Sequence, residues 1–184
     1  MKNKTTYIAA TVALLFIQYS TFAQHVGAKT YNVCSGKWTD AAVWNNNYPG
    51  TTIKENDVVI ITGDVIVNAN IIIEGTLQID KGAKLIGMKD LLISKTGKLI
   101  NNGSTVMRCI TNEGYVCNNL LLEAISEIAN YGNIENNSLA VSGTNFPNVG
   151  GTANGKAGIY IVNNSVLVSP TSKFGCNIQL LCIN

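Results

Sequence analysis

The sequence predicts an all-β protein whose short strands stack in parallel as the coils of a solenoid, that is, a parallel β-helix. From Asp57 onward, brief runs of β-branched residues alternate with Gly, Asn and Lys, as at residues 58–61, 65–67 and 71–73. Such runs between turn formers indicate strands rather than helices. Only residues 120–129 have the apolar content of a short helix, which would be barely long enough to be stable alone. Long strict alternation is scarce, which disfavours the alternative fold, an antiparallel β-sandwich.

Two internal repeats support the solenoid. Residues 77–86 align with residues 91–100 at an offset of 14. Asn-Asn pairs recur further along the chain, at 101–102, 118–119, 136–137 and 163–164. Asparagine amides in the same turn of successive coils can hydrogen-bond along the stack, and asparagine tolerates the left-handed backbone of tight turns. The two spacings disagree, so the sequence leaves open whether one coil equals the offset of 14 or the longer spacing of the first Asn-Asn pairs, 17–18. Hairpins of an antiparallel meander would also give short strands and frequent turns.

The chain divides into three segments. Residues 1–23 have the order of a cleavable signal peptide: two lysines, an apolar run at 7–17, and small residues ending at Ala23. The apolar run is shorter than the roughly 20 residues that a membrane-spanning helix needs. We therefore expect no membrane span after cleavage and a secreted, periplasmic or cell-surface location. An N-terminal capping segment would follow at 24–56 and the β-helix domain at 57–184.

The charge balance argues against a nucleic-acid partner. The chain has 13 basic and 11 acidic residues, and loss of Lys2 and Lys4 with the signal would leave equal numbers of each. A nucleic-acid binder normally has a basic surplus. Charged residues make up 13% of the chain, against roughly 25% in typical domains, so Asn, Ser, Thr and Gly must provide solubility.

The cysteine spacing suggests local disulfides. Five cysteines are present, Cys34, Cys109, Cys117, Cys176 and Cys182. In an oxidising compartment, Cys109 would pair with Cys117 and Cys176 with Cys182, which leaves Cys34 unpaired or intermolecular. Buried reduced cysteines that act as small hydrophobic side chains are the alternative. The spacings do not match a zinc site.

A pattern of aromatic and turn residues opens the mature chain. Residues 35–44 read SGKWTDAAVW, followed by Pro49-Gly50, NDVVI at 56–60, GTLQI at 75–79 and GKLINNG at 97–103. This pattern resembles the start of a group of secreted bacterial right-handed parallel β-helix proteins, pectin-lyase-like and adhesin-like, over residues 35–106. The resemblance implies a right-handed solenoid with an N-terminal cap. It implies no single function, because such modules serve both adhesins and carbohydrate-active enzymes.

Six side chains are candidates for ligand binding. Trp38 and Trp44 would form a platform on which a sugar stacks, or alternatively would cover the apolar end of the first coil. Two lysine pairs recur at the offset of 14, Lys81 with Lys95 and Lys84 with Lys98. If that offset is one coil, the members of each pair would lie about 4.8 Å apart, and the row would meet an acidic polysaccharide. A solvated face that protects a sheet edge is the alternative.

No set of residues carries a catalytic or metal-binding signature. Acidic side chains occur in predicted turns, at Asp57, Asp64, Glu74, Asp80 and Asp90. Glycoside hydrolysis needs two carboxylates at a defined separation, and calcium needs several oxygens in one place; the sequence shows neither arrangement. The single histidine, His25, is at the mature terminus. We therefore assign no catalytic residue, no metal site and no cofactor.

Three functions are compatible with these observations. The first is a non-catalytic, adhesion-like module that binds a polysaccharide or another cell-envelope component. The second, implied by the pectin-lyase-like resemblance, is a small polysaccharide lyase or hydrolase with a lysine or Arg108 as base and an aspartate as metal ligand. The third is a structural surface protein that self-associates through solenoid ends and edges.

Overall fold

The computed structural model describes residues 29–161, 166–168 and 181–182. This part of the chain is nearly all β, and the one helical element within it is a 3-10 turn at Ala41–Val43. Among the described residues no helix is long and apolar enough to cross a membrane. The predicted signal peptide at 1–23 lies outside the described residues.

One sheet, the first sheet, contains seven strands that each run parallel to their neighbours. Its strands in spatial order are β1 (Thr30–Val33), β4 (Val58–Ile61), β7 (Thr76–Ile79), β10 (Lys98–Asn101), β12 (Tyr115–Asn118), β14 (Asn133–Asn136) and β16 (Thr152–Asn154). Neighbours in the sheet are never consecutive in the chain, so the strands stack from coil to coil rather than joining as hairpins.

The second sheet has twelve strands in two limbs that merge. The near limb contains β2 (Gly36–Lys37), β5 (Asp64–Ile66), β8 (Lys84–Ile86), β11 (Ser104–Asn112), β13 (Leu121–Asn130), β15 (Leu139–Ser142), β17 (Ile159–Ile161), β18 (Val166–Val168) and β19 (Leu181–Cys182). The far limb contains β3 (Thr52–Ile53), β6 (Ile71–Ile73) and β9 (Asp90–Ile93), and β9 joins the second half of β11. All pairs are parallel except β17 with β18 and β18 with β19.

These pairings confirm a parallel β-solenoid of about six turns. The alternative antiparallel β-sandwich is wrong, because the strand pairs from β1 to β17 are parallel. The stretch at 120–129 is also not a helix: Leu121–Asn130 forms β13, which pairs along its length with β11. Its inward residues pack in the core while its outward ones face solvent, which favours a strand over the weak helical tendency of a short segment.

The register fixes the length of a coil. Thr76 pairs with Lys98, and Lys98 pairs with Tyr115, which are offsets of 22 and 17 along the chain. The other paired strands from β4 to β17 fall between these limits. The offset of 14 is therefore not a coil. It arises because β7 and β8 resemble β9 and β10, which occupy different faces of the solenoid, so the repeat relates strand–turn–strand units rather than neighbouring rungs.

The interior is apolar through the first coils and acquires buried asparagine later. One inward column of the first sheet stays apolar from coil to coil and contains Tyr31, Val59, Leu77, Leu99, Val116 and Ile134. Among residues 29–161, the buried polar residues are Asn101, Thr105, Asn112, Asn118, Asn130, Asn136 and Ser142. Every one of them lies at or beyond β10. The solenoid therefore has an apolar N-terminal half and a C-terminal half whose corners are polar.

The predicted capping segment contributes to the first coil. Its strands β1, β2 and β3 pair in parallel with β4, β5 and β6, and the intervening loop folds over them. Trp38 and Trp44 are both buried, with ring centroids 5.0 Å apart and an edge-to-face angle of 78°. The Trp38 indole N–H donates to Gly50 O at 3.0 Å, and the Trp44 indole N–H donates to Trp38 O at 2.9 Å. Both indoles thus fix the loop across the apolar end.

The same loop also covers the outer edge of β1. The Asn32 N–H donates to Asn45 Oδ1 at 2.6 Å, and the Asn45 N–H donates to Asn32 O at 3.1 Å. The Asn46 amide donates to Thr30 O at 2.6 Å. Edge strands with free backbone groups are templates for pairing with another chain. At β1 these groups are engaged within the chain, so this edge of the first sheet does not offer a free strand.

Candidate binding surface

A row of asparagines follows the turn between the first sheet and the near limb, with Asn119 exposed and Asn102 and Asn137 partly exposed. Asn102, Asn119 and Asn137 occupy equivalent positions on three successive coils. The Asn137 amide donates to Asn119 Oδ1 at 3.0 Å, and the Asn119 amide donates to Asn102 Oδ1 at 2.8 Å. We call these three residues the outer ladder. It confirms for the first three Asn-Asn pairs that they stack along the turns; the pair at 163–164 lies outside the described residues.

The first residues of the same pairs, Asn101, Asn118 and Asn136, form a second ladder, which is buried. We call it the inner ladder. Asn101 donates to Asn118 Oδ1 at 2.8 Å, and Asn118 donates to Asn136 Oδ1 at 2.7 Å. These inner amides donate toward the C-terminal coils, whereas the outer ladder donates toward the N-terminal coils. Successive residues on a strand point to opposite sides, so each Asn-Asn pair places one side chain inside and one outside. The inner ladder serves stability, and the outer ladder is available to a ligand.

An open recess of about 670 Å³ lies at the N-terminal end of the outer ladder. It is lined by Asp80, Lys81, Asn102, Asn119 and Leu120. Asp80 Oδ1 accepts a hydrogen bond from the Gln78 amide at 2.7 Å, which orients the carboxylate. Leu120 is an exposed apolar side chain beside these polar groups. The recess thus combines an acid, a cation, two amides and one apolar contact.

Glu135 and Tyr115 extend the polar surface at the other end of the ladder. The Asn137 amide donates to Glu135 Oε1 at 3.0 Å, and the Tyr115 hydroxyl donates to Glu135 Oε2 at 2.8 Å. The pKa of Glu135 lies below its ordinary value of 4.5. The hydrogen bond from Asn137 is the largest cause, followed by the hydrogen bond from Tyr115, and the nearby charge of Lys156 lowers the pKa further. The hydrogen bond to Glu135 is the main cause that raises the pKa of Tyr115 above 10.0. Glu135 is thus an anchored carboxylate.

We call the outer ladder, its recess and this anchored carboxylate the polar turn surface. Its members are Asp80, Lys81, Asn102, Leu120, Asn119, Asn137, Glu135 and Tyr115. An asparagine amide has two N–H donors and two acceptor sites. Each ladder hydrogen bond uses one donor of one asparagine and one acceptor site of its neighbour. Asn102 accepts within the ladder, and within the described residues its amide N–H groups donate to no protein acceptor. Asn137 Oδ1 is likewise not used by the ladder. The surface therefore retains both donors and acceptors for hydroxyl groups of a ligand.

The four candidate lysines are exposed but do not form a row. Lys81 lies in the recess of the polar turn surface, and Lys98 is in register with Tyr115 on the first sheet. Lys84 is on the near limb and its Nζ lies 3.3 Å from Asp64 Oδ2. Lys95 is in the turn between the far limb and the first sheet. Because the coil is longer than the offset between the paired lysines, the prediction that they stack on neighbouring rungs is wrong. Lys81 belongs to the polar turn surface, and Lys98 lies next to it in register with Tyr115.

The two tryptophans do not present a binding platform. A stacking platform needs an exposed ring face, and both side chains are buried in the core. The alternative interpretation, that these aromatics cover the apolar end of the first coil, agrees with their position. We therefore do not include Trp38 and Trp44 in the candidate site.

The predicted disulfide between Cys109 and Cys117 does not form in the structure. Both residues are free, as is the exposed Cys34. Cys109 lies in β11 of the second sheet and Cys117 in β12 of the first sheet, both on outward positions of different faces. Their closeness in the chain is thus not a closeness in space. The other predicted pair, Cys176 with Cys182, lies outside the described side chains.

The acidic residues of the predicted turns are dispersed. Asp64 pairs with Lys84, and Asp90 pairs with Arg108. Asp57 Oδ1 accepts a hydrogen bond from the Lys29 N–H at 3.0 Å. Within the described residues no three His, Cys, Asp or Glu side chains gather as a metal site. Arg108, the base that the lyase hypothesis would use, is held by Asp90, and a guanidinium stays protonated at any ordinary pH.

Two parts of the arrangement are not among the predictions made from the sequence. Asn112, Asn130 and Asn148 form a third ladder, with amide-to-oxygen distances of 2.7 and 2.6 Å. They occur singly rather than in pairs, and the signal that could have found them is an Asn-x-Gly repeated at 112–114, 130–132 and 148–150. Glu135 and Tyr115 belong to the polar turn surface only because of the coil-to-coil register.

Comparison of the chain with protein-family models, with curated proteins and with solved structures finds no match. The resemblance to secreted right-handed parallel β-helix proteins therefore rests on the residues quoted for it. The solenoid fold itself rests on the strand register.

Proposed function

We propose that this protein is a secreted, non-catalytic β-solenoid module that binds a glycan or another hydroxyl-rich component of the cell envelope at the polar turn surface. The observation that carries the proposal is the outer ladder, Asn102, Asn119 and Asn137, aligned on three coils beside a recess with an acid and a lysine. Sugar hydroxyls both donate and accept hydrogen bonds. Amide rows offer both functions, and anchored carboxylates add charge-assisted acceptors.

The shape of the surface favours an extended ligand. Sites for small molecules enclose most of the surface of their ligand. The recess here is open, and the ladder continues away from it along the solenoid at about 4.8 Å per coil. A polymer lying along the turns would contact Asp80 and Lys81 at one end and Glu135 at the other. This arrangement supports a polysaccharide chain rather than an enclosed monosaccharide.

The experiment is a binding measurement on an array of cell-envelope polysaccharides, followed by variants. Lys81→Ala and Asn119→Ala should each weaken binding of the captured glycan about tenfold, because each removes hydrogen bonds made directly to the ligand. Lys95→Ala, at an exposed lysine in a turn away from the surface, is the matched control and should bind as wild type. An unsaturated-uronide and reducing-sugar assay on the same glycan distinguishes binding from cleavage.

Two results would overturn the proposal. One is a wild-type protein that captures no polysaccharide or envelope fraction at millimolar ligand. The other is a captured glycan whose affinity is unchanged in both Lys81→Ala and Asn119→Ala. Turnover of the glycan would instead support the alternative, a small polysaccharide lyase or hydrolase.

A further inference from the structure

A second surface lies on the outward side of the near limb. In register across five successive coils, one outward column contains Lys37, Ile66, Ile86, Val106 and Glu123. Ile66 is 58% exposed and Ile86 is 42% exposed. Met88, two residues beyond Ile86, is 62% exposed. An exposed apolar patch of this kind on a soluble protein marks a contact surface.

Beyond Glu123 the column continues with Val141 and Tyr160. The order of charges along its first five members is self-complementary, because Lys37 and Glu123 flank three apolar side chains with Ile86 at the centre. Within the described residues neither Lys37 nor Glu123 takes part in an ion pair. A two-fold axis through Ile86 and along the strand direction inverts this five-residue segment and leaves Val141 and Tyr160 of each copy beyond the first coil of the other. It places Lys37 of one copy opposite Glu123 of the other, Ile66 opposite Val106, and Ile86 opposite itself.

From this geometry we propose that two copies of the protein associate face to face through the near limb, with their solenoid axes antiparallel. A two-fold interface is isologous, so each charged pair forms twice. The three apolar side chains supply burial, and the two charges that flank them set the direction and the register. This proposal is independent of the glycan proposal, which uses a different surface of the solenoid.

The charges that would lie closest to the axis do not oppose this arrangement. Lys84 lies beside Ile86 on the same strand and would approach its own copy across the axis. Its Nζ is 3.3 Å from Asp64 Oδ2 of the same chain, so its charge is already compensated. Arg108, on the neighbouring coil, is likewise paired with Asp90. Lys37 and Glu123 are the charges in the column that remain for a partner.

The test is sedimentation of the full mature chain over a range of concentration, with charge-reversal variants. Lys37→Glu and Glu123→Lys should each weaken dimerisation at least about tenfold, because each variant opposes like charges twice in a symmetric dimer. An equimolar mixture of these two variants should regain dimerisation, since each introduced acid then faces an introduced base. The double variant K37E/E123K should also regain it. Lys95→Glu, on another face, is the matched control and should dimerise as wild type.

Ile86→Lys provides an independent check, because its side chain is exposed and its replacement should leave the fold intact. It should abolish the dimer, with the unfolding curve showing that the solenoid is retained. A wild-type protein that stays monomeric up to about 1 mM, a weak affinity even for a transient complex, would overturn the proposal. So would a mixture of the two charge-reversal variants that dimerises no better than either alone. Asn119→Ala should leave dimerisation unchanged, so failure of the glycan proposal is separately visible.

Discussion

Ile93 and Asn112 occupy the same inward position on neighbouring coils: they are directly in register between β9 and β11, and both are fully buried. On the N-terminal side of this contact the column consists of isoleucines, Ile53, Ile73 and Ile93. On the C-terminal side it consists of Asn112, Asn130 and Asn148. The interior thus changes from apolar packing to an amide ladder within one rung.

The same change occurs at another corner of the same coil. Ile61 and Ile79 are followed in register by Asn101, Asn118 and Asn136. The hydroxyl of Thr105, which is also buried, donates to Asn101 Oδ1 at 3.1 Å. The side-chain oxygen of the first asparagine in this ladder therefore has a hydrogen-bond donor. Buried polar groups require hydrogen-bond partners. Both columns meet this requirement, because the asparagines of each column hydrogen-bond to one another along the stack.

Replacing a buried ladder residue should destabilise the solenoid far more than replacing its exposed neighbour. Asn118→Ala leaves the Asn101 amide without its acceptor, and it leaves Asn136 Oδ1 and Leu139 O without their donor. Asn101 and Asn136 are both buried. We expect a loss of about 3 kcal/mol in the free energy of unfolding. Asn119→Ala, one residue on and exposed, should change it by about 0.5 kcal/mol or less. Urea unfolding of both variants measures the difference, and equal losses would contradict the two-ladder description.

The loss of stability on replacing a buried asparagine should depend on its position within the ladder. Asn112→Ile extends the isoleucine column by one coil and leaves Asn130 with its contacts to Asn148 and Thr152. Asn130→Ile interrupts the ladder in its middle and removes hydrogen bonds on both sides. We expect Asn112→Ile to lower stability by about 2 kcal/mol and Asn130→Ile by distinctly more, as each unsatisfied buried group contributes about 1–3 kcal/mol. Thermal unfolding ranks the two, and the reverse order would contradict this explanation.

A methyl group added at Gly114 should push two neighbouring coils apart and so destabilise the solenoid. A Cβ on Gly114 would lie 2.2 Å from Ser94 O and 2.4 Å from Gly97 O, which are backbone atoms of the preceding coil. The backbone there cannot yield without lengthening inter-coil hydrogen bonds, so Gly114→Ala should destabilise by about 2 kcal/mol or more. Lys95→Ala, a surface change in the neighbouring turn, serves as the control at about 0.5 kcal/mol or less. A neutral Gly114→Ala would show that the coils are not so closely stacked.

The carboxyl of Glu135 should titrate below its ordinary range, because Asn137 and then Tyr115 donate hydrogen bonds to its charged form. A pKa that is lower in the folded than in the unfolded chain adds stability above the unfolded pKa, and this stability is lost as the pH falls through the folded pKa. Asn137→Ala and Tyr115→Phe should both raise the pKa of Glu135, the former by more. Carbon-detected NMR of the side-chain carboxyl follows the titration. An unchanged pKa in both variants would contradict the hydrogen-bond assignment.

The strand-and-turn texture of the sequence was sufficient to predict the solenoid, because β-branched runs and turn residues act locally. The Asn-Asn pairs also predicted stacking, since a pair supplies one inward and one outward amide whatever the coil length. The length of the coil was not predictable from the offset of 14. That offset reflects chemical similarity between strands on different faces, which a sequence repeat cannot distinguish from similarity between neighbouring rungs.

The binding surface was predictable only in part. Lys81 is among the predicted ligand-binding residues and Asp80 adjoins it in the chain. Tyr115 and Glu135 join the same surface only through registers that accumulate over several coils of unequal length. The sequence leaves both a platform and a cap open for the tryptophans, because an aromatic residue serves either purpose. Only their burial decides between the two, and burial depends on how the loop at 38–50 folds over the first coil.

The proposal that the outer ladder binds the glycan is tested most directly by ¹⁵N NMR of the asparagine side-chain amides during titration with a polysaccharide fragment. We expect progressive shifts for the amides of Asn102, Asn119 and Asn137, which are exposed or partly exposed. Those of Asn101, Asn118 and Asn136, one residue away on the same coils but buried, should stay in place. Equal movement of both sets, or movement of neither at saturation, would contradict the assignment of the outer ladder as the surface that meets the ligand.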